Sequence, residues 1–180
     1  MPELIISISL GLVILLVLGF GISTKQSFNK MMIKIELSEL ELDRILSVQR
    51  DVLVEMIKEI LIHQEIPESN IQTLTILDKV EHQSSMVDRQ IYTLKMTDIM
   101  DVIHAYIEKN KAILDHQKVT ELHESLLESH EQLKAARRQY NAHVSYYNQK
   151  VIVFPSSLIA QWNKFYKRPF FEVDTLKKEE

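Results

Sequence analysis

The sequence contains no cysteine. Thiol nucleophiles, disulfides, Cys-ligated zinc, iron–sulfur sites and lipidated cysteines are therefore excluded. Glycine occurs only at Gly11, Gly19 and Gly21, all within one apolar run, and is absent from Ile22 to Glu180. Phosphate-binding loops and dinucleotide fingerprints need the close backbone approach that glycine allows, so neither is available. Tight hairpins and left-handed helix caps also favour glycine, which argues against a sheet-rich fold. A nucleophile elbow is missing for the same reason. The net charge of −4 gives no electrostatic reason to expect nucleic acid. Paired carboxylates occur on every helical face and carry no information. What is left is an all-α protein to which we assign no catalytic residue, cofactor or metal.

What is present begins with Leu4 to Ile22, LIISISLGLVILLVLGFGI: 19 residues without a charge, with only Ser7 and Ser9 polar. At about 1.5 Å per residue it spans roughly 28 Å, the hydrocarbon thickness of a bilayer. A cleaved signal peptide would want a basic front, a shorter apolar core and a small-x-small site. Here Met1-Pro2-Glu3 precedes the run and Ser23-Thr24-Lys25-Gln26 follows it. The expectation is an uncleaved, single-pass anchor in the cell membrane. Lys25, Lys30 and Lys34 follow it, which by the positive-inside rule puts the N-terminus outside and the rest in the cytoplasm.

The body reads as helices. From Ser27 to about Gln64 no breaker occurs, and Leu42, Ile45, Leu46, Val52, Leu53, Met56, Ile57, Ile60 and Leu61 make one apolar face. Pro67 interrupts, and Ser69 or Asn70 can cap a second helix reaching about Asn110. Its stripe is Leu74, Leu77, Val80, Val87, Ile91, Leu94, Ile99, Val102, Ile103 and Tyr106. The third helix carries a near-heptad seam, Leu122, Leu126, Leu133, Ala136, Tyr140, Val144, Tyr147 and Val151, and ends before Pro155. Ser156 or Ser157 can cap a short helix carrying Leu158, Ile159, Trp162 and Phe165, which Pro169 stops. The predicted architecture is a transmembrane helix (1–24), then an antiparallel bundle of three long helices plus a short C-terminal one (25–172), then a charged tail (173–180). Three long helices would carry the aromatic C-terminal segment away from the apolar run.

Several constellations invite chemistry. His116, His123 and His130 are spaced by seven, but heptad-spaced ligands sit about 10 Å apart along a helix, too far for one ion. A solvated or mildly pH-sensitive stripe is the reading preferred. Tyr140-Asn141 and Tyr147-Asn148 also repeat at seven. Their rings suit a core edge, and the asparagines a polar ladder that fixes register or an interface. Trp162, Phe165, Tyr166, Phe170 and Phe171 interleave with Lys164, Lys167 and Arg168. Such a segment either docks at a membrane interface or folds back to close the bundle, and closure is the expectation.

Residues 126–172 resemble the C-terminal half of the LemA family. The resemblance rests on Ala136-Arg137-Arg138-Gln139-Tyr140-Asn141, Tyr147-Asn148, Phe154-Pro155-Ser156-Ser157-Leu158-Ile159-Ala160 and Pro169-Phe170-Phe171-Glu172, in order and at the family's spacing. Upstream, Phe28-Asn29 is similar to the family's Tyr-Asn, and LSVQRDVLVEMI from Leu46 to Ile57 to its LxxRxDLIPNLV. Gln49, Val54 and Glu55 stand where Arg, Pro and Asn are usual. The resemblance implies an N-terminal anchor and a long helical bundle, and no reaction.

The function expected is a membrane-anchored helical scaffold. Its partners would be lipid through residues 4–22, other membrane or envelope proteins, and a second copy of itself. Arg137, Arg138, Tyr140, Asn141, Tyr147, Asn148, Phe154, Pro155 and Trp162 are the candidate residues shaping the partner surface. The competing reading is a ligand-sensing bundle with a cavity lined by Met and Tyr.

Overall fold

The structure, a computed structural model, describes residues 2–63 and 85–173. These form α1 (Pro2–His63), α2 (Met86–Lys109), a 3-10 turn (Lys111–Asp115), α3 (Gln117–Ile152) and α4 (Ser156–Trp162), with no strand among them. The all-α architecture is that expected. The caps proposed at Ser69 or Asn70, and Leu74, Leu77 and Val80, lie outside the described residues.

No glycine or proline stands between Gly21 and the end of α1, so the apolar run and the first body helix are one continuous helix. Its buried positions, Thr24, Phe28, Met31, Ile35, Ser38, Leu42, Ile45, Gln49, Leu53, Met56 and Ile60, follow each other at three or four. This is a seam longer than the one read from Leu42 onward. Ile33, Leu37 and Leu40 lie off it and are exposed, which masks its upper half in the sequence.

Helix α2 begins at Met86. The Ser85 hydroxyl accepts from the Asp88 amide at 3.1 Å and bonds the Asp88 carboxylate, satisfying one orphan N–H of the first turn. The helix ends at Asn110, as expected, where the side-chain amide donates to the Tyr106 carbonyl at 3.0 Å. The buried face differs from the predicted one. Met86, Gln90, Thr93, Met96, Ile99, Ile103 and Ile107 point inward, while Val87, Ile91 and Val102 are exposed. Apolar count alone misassigns this face because Gln90 and Thr93 find internal acceptors. Gln90 Nε2 donates to the Phe170 carbonyl at 2.8 Å, and Thr93 Oγ1 to the Arg89 carbonyl at 2.8 Å.

Of the seam predicted on α3, Leu126, Leu133, Ala136, Tyr140, Val144 and Tyr147 are buried and Leu122 and Val151 half-buried; Val119 and Ser129 are buried besides. It stops at Ile152, before Pro155. Ser156 does not cap α4. It is the first helical residue, and its hydroxyl oxygen lies 2.7 Å from the Lys150 carbonyl and 2.8 Å from that of Val153. Helix α4 ends at Trp162, well before Pro169. The Phe165 amide donates to the Ala160 carbonyl at 2.9 Å and the Lys164 amide to the Gln161 carbonyl at 3.2 Å. This is a Schellman cap, and Lys164 takes its left-handed position at φ 57°. A lysine holds a glycine's usual place in a region that has no glycine.

The chain divides into two compact units: Met1–Leu37 with Asn141–Pro169, and Ser38–Tyr140 with Phe170–Glu180. In the second unit, Arg89 Nε and Nη2 bond the two Asp43 oxygens at 2.7 and 2.8 Å, and Gln49 Nε2 lies 3.3 Å from Met100 Sδ. Both residue pairs advance together, so α2 runs in the same direction as α1 there. His104 stacks on His123 with centroids 6.3 Å apart, and Thr93 and Thr97 share a cavity with His130 and Lys134, so α3 runs antiparallel to α2 and hence to α1 there; Lys118 lies 3.2 Å from Glu55. The carboxylate fork holds the Arg89 guanidinium more firmly protonated than usual, against the opposing cost of burial.

In the first unit, residues 2–20 are exposed and packing begins at Gly21. Phe28 is fully buried, edge-on to Tyr147 (centroids 5.7 Å, 82°) and stacked on Phe165 (4.8 Å, 26°). Lys150 Nζ bonds Ser27 Oγ at 2.6 Å. Ile159 Cδ1 lies 3.7 Å from where a Cβ on Gly21 would sit. The expectation that the aromatic segment lies away from the apolar run is overturned. The segment packs against α1 where that run ends.

Candidate functional site

The aromatic site is built from α1, α3 and the segment after α4. Phe28, Tyr147 and Phe165 form its floor. Burial raises the Tyr147 phenol above its ordinary pKa, partly countered by the charge of Arg168. Beside it Asn148 clamps the extended backbone. Its Nδ2 donates to the Arg168 carbonyl and its Oδ1 accepts from the Arg168 amide, each at 2.8 Å. The asparagine therefore ties the C-terminal segment to α3 and mimics a strand partner, a role the seven-residue repeat did not disclose.

The candidate residues separate by depth. Tyr140 and Tyr147 are 0% and 1% exposed. They are core side chains and shape a surface only from beneath it. Asn141, Asn148 and Arg137 are half-buried, and Arg138 and Pro155 are exposed. Phe154 and Trp162 are open to solvent, at 74% and 86%. Of the four apolar residues expected on this short helix, Ile159 is half-buried and Phe165 stacks on Phe28, whereas Leu158 and Trp162 face out and Ser156 and Ala160 take the inward positions. Sequence reasoning did not single out Arg89 with Asp43, or Lys164. An arginine facing two acids four residues apart on another helix, Glu39 and Asp43, has no local signature.

In the second unit a cavity of about 240 Å³ is lined by Thr93, Thr97, His130, Leu133, Lys134, Arg137, Phe171 and Val173. It is not the Met- and Tyr-lined cavity expected of a sensor. Desolvation, then the nearby Lys134 charge, lowers the His130 pKa below its ordinary value. Among the described residues no group of three His, Cys, Asp or Glu is arranged to hold a metal ion.

These features define a class: a helical bundle continuous with a long apolar N-terminal helix, closed at one end by an aromatic C-terminal segment. The model of the LemA family matches residues 42–180. The chain belongs to the LemA family. The match begins at Leu42, within α1, and covers the rest of that helix, α2 to α4 and the C-terminal motif that carried the resemblance, but not Phe28-Asn29. A comparison with curated proteins finds no match.

Proposed function

We propose that this protein is a membrane-anchored helical scaffold that binds other membrane or envelope proteins and catalyses no reaction. The anchor is the apolar half of α1, which is long and apolar enough to cross a bilayer and whose first 19 described residues are all exposed. Lys25, Lys30 and Lys34, all exposed, favour the N-terminus outside and the bundle in the cytoplasm. Because the chain has no cysteine, single cysteines placed at Pro2 and at Lys111 report that orientation cleanly with an impermeant thiol reagent.

The observation that carries the scaffold reading is the exposed stripe of Val87, Ile91 and Val102 on α2. Val87 and Ile91 are one turn apart and Val102 lies three turns further along the same face, with the exposed charges Lys95 and Asp98 between them. A face that mixes exposed apolar side chains with charges is suited to an interaction surface, and this supports the scaffold reading. Arg138, exposed on α3 in the same unit, supplies a cation for partner acids. The test is crosslinking in membranes followed by affinity recovery of the intact protein. A stoichiometric partner, lost on Ile91→Asp and weakened by Arg138→Ala with helicity unchanged, is the expected outcome. Equal recovery with both variants sinks the proposal, and recovery of a second copy alone would make the stripe a self-association face. The cavity beside His130, Lys134 and Arg137 supports a second reading, sensing of a small anion. Under that reading the protein comes down alone and its thermal midpoint rises with added phosphate.

A further inference from the structure

The first unit concentrates positive charge. Residues 21–37 and 141–169 contain Lys25, Lys30, Lys34, Lys150, Lys164, Lys167 and Arg168 against a single acid, Glu36, although the whole chain is net −4. The same unit leaves Phe154, Leu158, Trp162 and Tyr166 exposed. Helix α4 fixes where these side chains lie along α1. Its Ile159 Cδ1 lies 3.7 Å from where a Cβ on Gly21 would sit, while Leu158 and Trp162, four residues apart, share the face opposite buried Ser156 and Ala160.

The apolar run ends at Ile22, one residue beyond that contact. If the run fills the hydrocarbon core, the headgroup layer covers about the next four residues, since that layer is roughly 5–7 Å deep and α-helical rise is about 1.5 Å. Thr24, already buried by protein, falls within it. No spacer separates the span from the bundle, so α4, beside Gly21, lies at headgroup depth, and the segment after it, stacked on Phe28 about 9 Å past Ile22, lies just outside that layer and within side-chain reach of it. Aromatic rings with lysines and arginine at that depth match the chemistry of the interface: amphipathic rings at the acyl boundary and cations on lipid phosphates.

We infer that Phe154, Leu158, Trp162 and Tyr166, with Lys164 and Lys167, form a lipid-docking surface that seats the end of the bundle on the bilayer crossed by α1. This rests on the membrane-anchor reading above. It gives the aromatic segment two faces: Phe165 closes the bundle through Phe28, and the exposed residues meet lipid. Docking would hold α1 at a fixed depth, where a bare helix could slide or tilt.

Trp162 is the only tryptophan, so its fluorescence reports this surface without labelling. The full-length chain is reconstituted in phosphatidylcholine–phosphatidylglycerol vesicles and floated on a density gradient. Trp162 emission is then read with lipids brominated near the headgroup or deep in the acyl chain. The expected result is flotation, a blue-shifted emission and quenching by about twofold, stronger with the shallow bromines, as for an interfacial belt. Paired substitution of the exposed Phe154→Ser and Leu158→Ser should lower that quenching with helicity intact. Flotation with a red-shifted, iodide-accessible Trp162 and no bromolipid quenching overturns this inference and leaves the anchor standing. A blue shift without bromolipid quenching also overturns it, because protein rather than lipid then covers the ring. Failure to float refutes the anchor and the inference together.

Discussion

Replacing Asn148 with alanine should release the segment after α4 without unfolding the helices. The side chain makes two hydrogen bonds to the backbone of Arg168, both 2.8 Å and both half-buried. A protein hydrogen bond contributes about 0.5–1.5 kcal/mol net, so the clamp contributes about 1–3 kcal/mol to holding the segment. Alanine is also the better helix former, by about half a kcal/mol at this position in α3. Global stability therefore moves less than local stability, and a melting curve is the wrong assay. Hydrogen exchange resolves the two. At about 1.4 kcal/mol per tenfold, loss of the clamp should speed exchange of the Arg168 amide by about 5- to 150-fold, while the amides of α3 keep their protection. Asn148→Asp should be at least as disruptive as alanine, because a carboxylate accepts from the Arg168 amide but faces its carbonyl with no proton to donate. Unchanged exchange at Arg168 in both variants would refute the clamp. Equal acceleration throughout α3 would show that the asparagine supports the helix and not the segment.

Three further outcomes follow from the geometry. Arg89→Met should destabilise the second unit by about 3 kcal/mol, since Asp43 and Glu39 would keep their charge without a partner, and Arg89→Lys should recover only part of this because it cannot form the fork; chemical denaturation of both variants checks the order. Lys164→Gly should stabilise the cap of α4 by about 1 kcal/mol, because glycine holds φ 57° without the Cβ clash, and exchange at the Phe165 amide should slow. The lowered His130 pKa means the unfolded chain binds a proton more readily than the folded one, so its contribution is complete above the ordinary histidine pKa and is lost as pH falls below it; His130→Gln should flatten that part of the stability–pH curve, and an NMR titration of His130 should show a midpoint below about 6.5.

Much of this protein is written in local pattern. The scarcity of glycine, the run from Leu4 to Ile22 and the stripes at steps of three and four define an all-helical chain with an apolar N-terminal helix. The seam of α3 was legible nearly residue by residue, because apart from Ser129 the stretch from Leu126 to Tyr147 is apolar where it is buried. The C-terminal motif pointed to the family for the same reason: short, ordered groups of residues survive as local signals.

Pairing between helices was not legible. Gln90 and Thr93 are buried on α2 and Val87 and Ile91 are not, since a partner carbonyl far along the chain, that of Phe170, decides whether an amide is tolerated inside. The start of α2 at Ser85 turns on a cap that outweighs continuous helix propensity. Helix direction follows from such breaks, which is why a count of long helices sent the aromatic segment to the wrong end. The stack of Phe28 on Phe165 and the grip of Asn148 on Arg168 bring it back to Gly21. Periodicity tells each helix which face to hide; only long-range contacts, satisfied or not by particular polar groups, settle what that face is hidden against.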